Sequence, residues 1–121
     1  MMNFGSHDAP VIDRAVALKR LRGDEKLFAS MAQIFLEDAP GFCQAMHEAY
    51  QAKNLHNVFM QAHSLKGMSA TFEALPFKNL AAEVEAAARA GDASKVDQLI
   101  HQVQPEFDRL VKALQPFAQV Q

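Results

Sequence analysis

Apolar residues recur every three or four positions along most of this chain, which is the spacing of an amphipathic α-helix. Polar caps, glycines and prolines interrupt the pattern and divide it into six predicted helices. Pro105 lies inside the last helix and predicts a kink or an interruption there. The other predicted starts and stops fall at Asp8 and Pro10, Gly23 and Asp24, Asp38 and Pro40, Asn54, residues 73–76, and Gly91 and Asp92.

No segment shows the alternation of apolar and polar residues that a half-buried strand requires, so the pattern predicts an all-α protein. Because the loops are short, neighbouring helices should be antiparallel. The predicted architecture is an up-down four-helix bundle made by the last four helices, with one or two additional N-terminal helices covering one end. The boundary between cover and bundle is placed near Pro40, although Phe35 could make the second helix part of the bundle. Residues 1–9 are predicted to be a flexible lead-in, and residues 10–118 a single helical domain.

The composition narrows the class of function. With 121 residues, half of them hydrophobic, the chain can bury a core as one domain. Its net charge of −2, without a basic stripe, argues against nucleic-acid binding. No apolar run approaches the ~20 residues that span a bilayer, so no membrane partner is expected. Cys43 is the single cysteine, which fits a reducing compartment and a cytoplasmic protein, and we expect its thiol to be packed rather than nucleophilic.

Two further kinds of site are not expected. The chain has no glycine-rich phosphate loop, which argues against a nucleotide site. Its five histidines include no pair at the spacings His-x-x-x-His or Glu-x-x-His that a metal site in a helical bundle would use. No cofactor is therefore predicted in this chain.

The fourth predicted helix carries the most informative residues of the chain, around His63. Its apolar or small side chains fall on one side, namely Leu55, Val58, Ala62, Leu65, Ser69 and Phe72. His63 lies more than a third of a turn from the centre of that face, so it should be exposed, with Lys66 and Gly67 beside it. A glycine within a helix costs about 1 kcal/mol relative to alanine. Because Gly67 adds nothing to the core, we interpret it as clearance for a large partner that approaches His63.

An exposed imidazole points to nucleophilic chemistry. A neutral histidine can attack phosphorus and form a phosphoramidate, and the ammonium group of Lys66 could hold phosphoryl oxygens. The alternative is a solvated histidine on a polar face, which is the commoner situation for exposed histidines in general. The pattern His-x-Leu-Lys-Gly on a helix of this phase favours the phosphoacceptor.

Residues 62–67, Ala-His-Ser-Leu-Lys-Gly, resemble the signature of histidine-containing phosphotransfer (HPt) domains of phosphorelays. The resemblance covers nearly the whole chain and implies a monomeric four-helix bundle whose histidine takes a phosphoryl group from one receiver-domain aspartate and passes it to another. By this match His63 is the phosphoacceptor, Lys66 its electrostatic neighbour and Gly67 the docking clearance. The implied partners are response-regulator receiver domains, which carry the Mg²⁺, and a hybrid sensor histidine kinase. The chain itself would be a stoichiometric phosphocarrier and not an enzyme.

Further residues are placed around the histidine. Glu85 and Arg89, four residues apart on the next helix, resemble family positions beside the histidine, where a carboxylate could orient the ring and an arginine could help to hold phosphate. The alternative for this pair is a surface ion pair worth about 0.3–0.5 kcal/mol. The expected docking rim on the His63 side of the helix comprises Gly67 with His56, Phe59, Met60 and Ala70. For Phe59, partial burial in the core is the alternative.

Two residues depart from the family pattern. Met68 stands where a small residue is usual, and Glu73 stands where a glycine usually ends or bends the helix, which leaves the boundary before Pro76 open. Two other functions are compatible with the fold: an adaptor that binds receivers without being phosphorylated, and a plain helical scaffold. The presence of His63 argues against the adaptor, and Gly67 beside His63 and Lys66 argues against the scaffold.

Overall fold

Five α-helices and a closing 3-10 turn follow one another along residues 10–118, the part of the chain that this computed structural model describes. That part contains no strand. None of its helices is both long and apolar enough to cross a bilayer. The elements are α1 (Arg14–Arg20), α2 (Glu25–Gln51), α3 (Leu55–Ala70), α4 (Leu75–Arg89), α5 (Ala93–Leu114) and the 3-10 turn (Gln115–Phe117).

Polar N-caps set most of the helix starts, as the sequence predicts. The side chains of Asp24, Asn54 and Asp92 each accept a hydrogen bond from the backbone N–H three residues on. The first helix differs from its prediction, because α1 begins only at Arg14, where Asp13 is the cap. The predicted cap Asp8 lies outside the described residues. The break predicted near residues 73–76 is present but lies two residues earlier, since α3 ends at Ala70 and α4 begins at Leu75.

The predicted helix boundary near Pro40 is wrong. Helix α2 runs unbroken through Pro40, and Phe35 belongs to the bundle. A proline inside a helix costs about 3 kcal/mol, but here it is exposed, while a continuous stripe of seven buried residues runs along the opposite side of α2. Burying that whole stripe against the bundle outweighs the local loss. The stripe comprises Phe28, Ala32, Phe35, Ala39, Cys43, Met46 and Ala49. Of the one or two helices predicted to cover the end of the bundle, only α1 therefore remains. Helix α5 likewise continues without interruption through the exposed Pro105.

Helices α2 to α5 form the predicted antiparallel four-helix bundle, and phenylalanine rings fill its core at the end where α3 stops. The ring of Phe72, just after α3, meets Phe28 and Phe35 of α2 edge-on, with centroids 5.7 and 5.5 Å away. Phe107 of α5 lies 6.0 Å from Phe35 and 5.6 Å from Phe77 of α4. Because these rings come from all sides of the bundle, they fix how α3 and α4 lie against each other.

Helix α1 fastens the C-terminal end of α3. The guanidinium group of Arg20 donates to the carbonyl oxygen of Ala70 at 3.3 Å and forms an ion pair with Glu73. The backbone N–H of Asp13 donates to the carbonyl oxygen of Phe72 at 3.1 Å. Glu73 has a φ of +52°, a left-handed conformation that favours glycine. Glu73 therefore forms its ion pair with Arg20 from a backbone conformation in which a glycine would be less strained.

Substitutions at Glu73 should separate backbone strain from the ion pair. Glu73→Ala keeps the strain and loses the ion pair, so it should lower the free energy of unfolding by about 0.5–1 kcal/mol. Glu73→Gly loses the same pair but relieves a strain of about 1 kcal/mol, so its stability should stay near that of the wild type. Urea unfolding measures both changes. Equal stabilities for the alanine and glycine variants would show that the left-handed backbone stores no strain here.

Candidate functional site

His63 lies on the solvent side of α3, as its helical phase predicts. Its side chain is 63% exposed. The opposite face of the helix packs into the bundle through Val58, Ala62, Leu65 and Ser69, all of them buried. The exposed histidine is therefore attached to a helix whose other face is held rigidly by the core.

The carboxylate of Glu85 reaches His63 from the neighbouring helix α4. The Nδ1 atom of His63 lies 2.7 Å from Oε2 of Glu85, whose side chain is only 5% exposed. An ionised carboxylate can only accept hydrogen bonds, so Nδ1 of the neutral ring must carry the hydrogen. The other ring nitrogen, Nε2, then keeps its lone pair. The structure thus brings together the two residues that sequence reasoning paired.

The second oxygen of the same carboxylate holds Lys66. The Nζ atom of Lys66 lies 2.6 Å from Oε1 of Glu85, and Nη2 of Arg89 lies 3.6 Å from Oε2. Glu85 therefore has three basic side chains around it. The sequence predicted Lys66 only as a neighbour of His63, because helical spacing describes contacts within α3 and carries no information about a partner on α4.

The surroundings of Glu85 keep it ionised. Burial alone would raise the pKa of this carboxyl group. The hydrogen bonds from Lys66 and His63, together with the charges of these partners, outweigh burial and hold the pKa of Glu85 below its ordinary value. At neutral pH the group is consequently a carboxylate that accepts from both the ring and the ammonium group.

Gly67 lies on the same exposed side of α3. Apart from its two chain neighbours and the backbone of its own helix, no atom lies within 4 Å of the place where a Cβ would stand, so packing within the molecule does not require glycine here. This open space agrees with the clearance interpretation. Gly41, an exposed glycine of α2, is equally open, so clearance at Gly67 needs a functional test with Gly41 as its control.

The residues predicted to form a docking rim lie along α3 on both sides of His63 in the sequence. His56 is exposed and Met60 is 48% exposed, while Ala70 is half-buried. Phe59 is also half-buried, with its ring beside those of both His56 and His63. The residues of the predicted rim therefore present a mixture of polar and apolar side chains. Sequence reasoning missed that Arg20 reaches the carbonyl group of Ala70, because no local pattern links residues fifty positions apart.

The remaining residues that the sequence singled out lie away from this chemistry. Met68 is half-buried and lines an apolar groove between α2 and α3 with Met31 and Ile34. Cys43 is buried, and burial, assisted by the charge of Asp108, raises the pKa of its thiol to about 12. It therefore stays protonated and unreactive at neutral pH. Within residues 10–118, no group of three His, Cys, Asp or Glu side chains is placed to hold a metal ion.

Comparison with known proteins identifies a family and a solved structure to which this chain is similar. The model of the family described as "Hpt domain" matches residues 30–115, which include all the site residues named above except Arg20. The crystal structure of histidine-containing phosphotransfer protein B (HptB) from Pseudomonas aeruginosa PAO1 is similar to this chain, with a TM-score of 0.80 and 26% sequence identity. That similarity covers 90% of this chain and 95% of the other. A search of curated proteins found no match.

Replacing Glu85 with glutamine should destabilise the protein at neutral pH and have little effect in acid. Because the folded pKa of Glu85 is lowered, the carboxylate stabilises the fold above its unfolded pKa, and this contribution is lost as pH falls through the folded value. We expect Glu85→Gln to lower the free energy of unfolding by about 1 kcal/mol at pH 7 and by much less near pH 2, as measured by urea unfolding. Glu83→Gln, which changes an exposed carboxylate of the same helix, is the control. An equal loss of unfolding free energy at both pH values would contradict the conclusion that Glu85 is an ionised carboxylate held by its basic partners.

Proposed function

This chain belongs to the Hpt domain family and is a histidine phosphotransfer intermediate of phosphorelays, and we propose that His63 is the residue that carries the phosphoryl group. The observation that supports this assignment is the pairing of an exposed imidazole with the buried carboxylate of Glu85. The carboxylate occupies Nδ1, so Nε2 is the free nucleophile on the solvent side.

Transfer begins with an aspartyl phosphate on a receiver domain. The lone pair of Nε2 attacks phosphorus in line, the new N–P bond forms, and the bond between phosphorus and the aspartate oxygen breaks. Because Nδ1 keeps its hydrogen, the ring gains a formal positive charge as the N–P bond forms. The adjacent carboxylate of Glu85 opposes this charge, so it stabilises the transition state as well as orienting the ring. The reverse reaction delivers the phosphoryl group to the aspartate of a second receiver.

Lys66 and Arg89 supply positive charge next to the phosphoryl position. In the unphosphorylated protein both cations lie against Glu85. A phosphoryl group on His63 brings new negative charge to this surface, so both side chains gain a second anion to contact without leaving the site. The Mg²⁺ that assists the transfer belongs to the receiver, and this chain needs no cofactor of its own.

The physiological setting follows from this role. We expect a stoichiometric phosphocarrier without a nucleotide site, which acts as a monomer between a hybrid sensor histidine kinase and response-regulator receiver domains. Neither nucleic acid nor membrane is a partner in this scheme. A cytoplasmic location is supported by the single cysteine, Cys43, which is a free thiol.

Phosphate labelling tests the acceptor directly. After incubation with a phosphorylated receiver domain, the wild type should carry phosphate that is labile in acid and stable in alkali, and His63→Gln should carry none. His56→Gln, which changes another exposed histidine of the same helix, should be labelled like the wild type. Circular dichroism should stay at the wild-type value in both variants, because both side chains are exposed. Thermal unfolding should stay close to wild type as well, since a glutamine amide at position 63 can still donate a hydrogen bond to Glu85. Persistent label in His63→Gln would move the site elsewhere, and an unlabelled wild type would favour the adaptor or the scaffold.

A large side chain at Gly67 should block the partner and leave the fold intact. Arginine is the better helix former by up to about 1 kcal/mol, and the space around the Cβ position is open, so Gly67→Arg should be as stable as the wild type or slightly more so. Its phosphotransfer from a receiver should fall by at least about tenfold, the equivalent of about 1.4 kcal/mol of lost interaction.

Gly41→Arg provides the matched control for this experiment. It places the same side chain at an equally open helical glycine, on α2, which contributes no site residue. Its stability should change as in Gly67→Arg, and its transfer rate should be that of the wild type. Unfolding of Gly67→Arg, or transfer at the wild-type rate, would remove the clearance role.

A further inference from the structure

Phe59 lies one turn before His63 and supports the ring of that histidine. Side chains on a helix lean toward its N-terminus, so the side chain at one position lies over the residue four places earlier. The imidazole of His63 accordingly lies beside the ring of Phe59, with centroids 6.2 Å apart and an angle of 26° between the planes. This geometry is that of an offset stack.

The hydrogen bond to Glu85 does not by itself fix the imidazole. The side chain of His63 is 63% exposed, so core packing does not restrain it. One hydrogen bond at Nδ1 restrains the distance between that nitrogen and Glu85, and it leaves the two side-chain torsions of His63 free to change together. A second contact on the face of the ring removes that freedom, and Phe59 supplies this contact.

Phe59 also contacts Arg89. The guanidinium carbon of Arg89 lies 5.1 Å from the centroid of the Phe59 ring, within the range of a cation–π interaction. Arg89 is in turn 3.6 Å from the carboxylate of Glu85. His63, Glu85, Arg89 and Phe59 therefore form a closed loop of contacts. Within this loop the ring of Phe59 touches both the imidazole of His63 and the guanidinium group of Arg89.

We propose that Phe59 is a positioning residue for phosphotransfer, which holds the plane of the His63 ring and keeps the Arg89 cation beside it. This inference rests on the proposed function of His63. It differs from a docking role, because it predicts that the state of the imidazole depends on Phe59 even when no partner is present.

Nitrogen NMR of the unphosphorylated protein at alkaline pH tests this dependence. The wild type should show His63 with hydrogen on Nδ1, and His63→Gln identifies the signal. In Phe59→Leu the population with hydrogen on Nε2 should rise by roughly two- to tenfold, as expected from the loss of one aromatic pair. Phe59→Tyr keeps the aromatic face and should restore the wild-type spectrum.

Phe42→Leu is the control for loss of a half-buried phenylalanine, since Phe42 is also half-buried but lies on α2. Its His63 signal should match that of the wild type. The proposal is overturned if Phe59→Leu leaves the His63 signal unchanged, or if Phe42→Leu alters it equally. The NMR result does not depend on phosphorylation, so a failure of the proposed function would be seen separately, as an unlabelled wild type.

Kinetics with a phosphorylated receiver domain distinguish positioning from docking. For Phe59→Leu the limiting transfer rate at saturating receiver should fall by roughly two- to tenfold, while the half-saturating concentration stays at the wild-type value. A raised half-saturating concentration with an unchanged limiting rate would assign Phe59 to the docking rim and contradict the proposal.

Discussion

A carboxylate that is only 5% exposed needs partners for its charge, because desolvation of an unpaired ion is costly. Glu85 meets this requirement by dividing its two oxygens between the imidazole of His63 and the ammonium group of Lys66, with Arg89 close by. The same contacts define the site. They select the hydrogen-bearing nitrogen of the ring, leave Nε2 free, and keep cations beside the position that a phosphoryl group would take.

This arrangement depends on how α3 and α4 lie against each other, and the rest of the fold serves that placement. His63 and Lys66 come from α3 and Glu85 from α4, so a small shift between the two helices would break both short contacts. The chain of phenylalanine rings locks the helices at one end of the bundle. Helix α1 adds the contact of Arg20 with the last carbonyl group of α3, that of Ala70.

The sequence was sufficient for the features that helical periodicity encodes. The buried face of α3 and the exposure of His63 follow from side-chain spacing alone, and the caps at Asp24, Asn54 and Asp92 follow from local hydrogen-bonding chemistry. The boundary predicted at Pro40 was wrong because a local breaker was weighed without the stripe of buried residues that continues beyond it. That stripe stabilises α2 only once the bundle has formed.

Contacts between helices were the part that the sequence could not supply. Glu85 was associated with His63 through the family resemblance, and nothing in the spacing of α3 indicated that Lys66 would share the same carboxylate. The stack of Arg89 on Phe59 and the contact of Arg20 with Ala70 depend equally on tertiary packing. At Glu73 the family resemblance indicated only an end or a bend of the helix, and the left-handed backbone there was found from the structure.

Identification of the phosphorylated nitrogen tests the role of Glu85 most directly. Protein labelled with ¹⁵N and phosphorylated by a receiver domain can be studied by ³¹P and ¹⁵N NMR, which distinguishes a phosphoryl group on Nε2 from one on Nδ1. Because Glu85 occupies Nδ1, the phosphoryl group should be bonded to Nε2 of His63, with the Nδ1 hydrogen still bound to the carboxylate. A phosphoryl group on Nδ1 would require the bond to Glu85 to break, and would contradict the role assigned to this carboxylate.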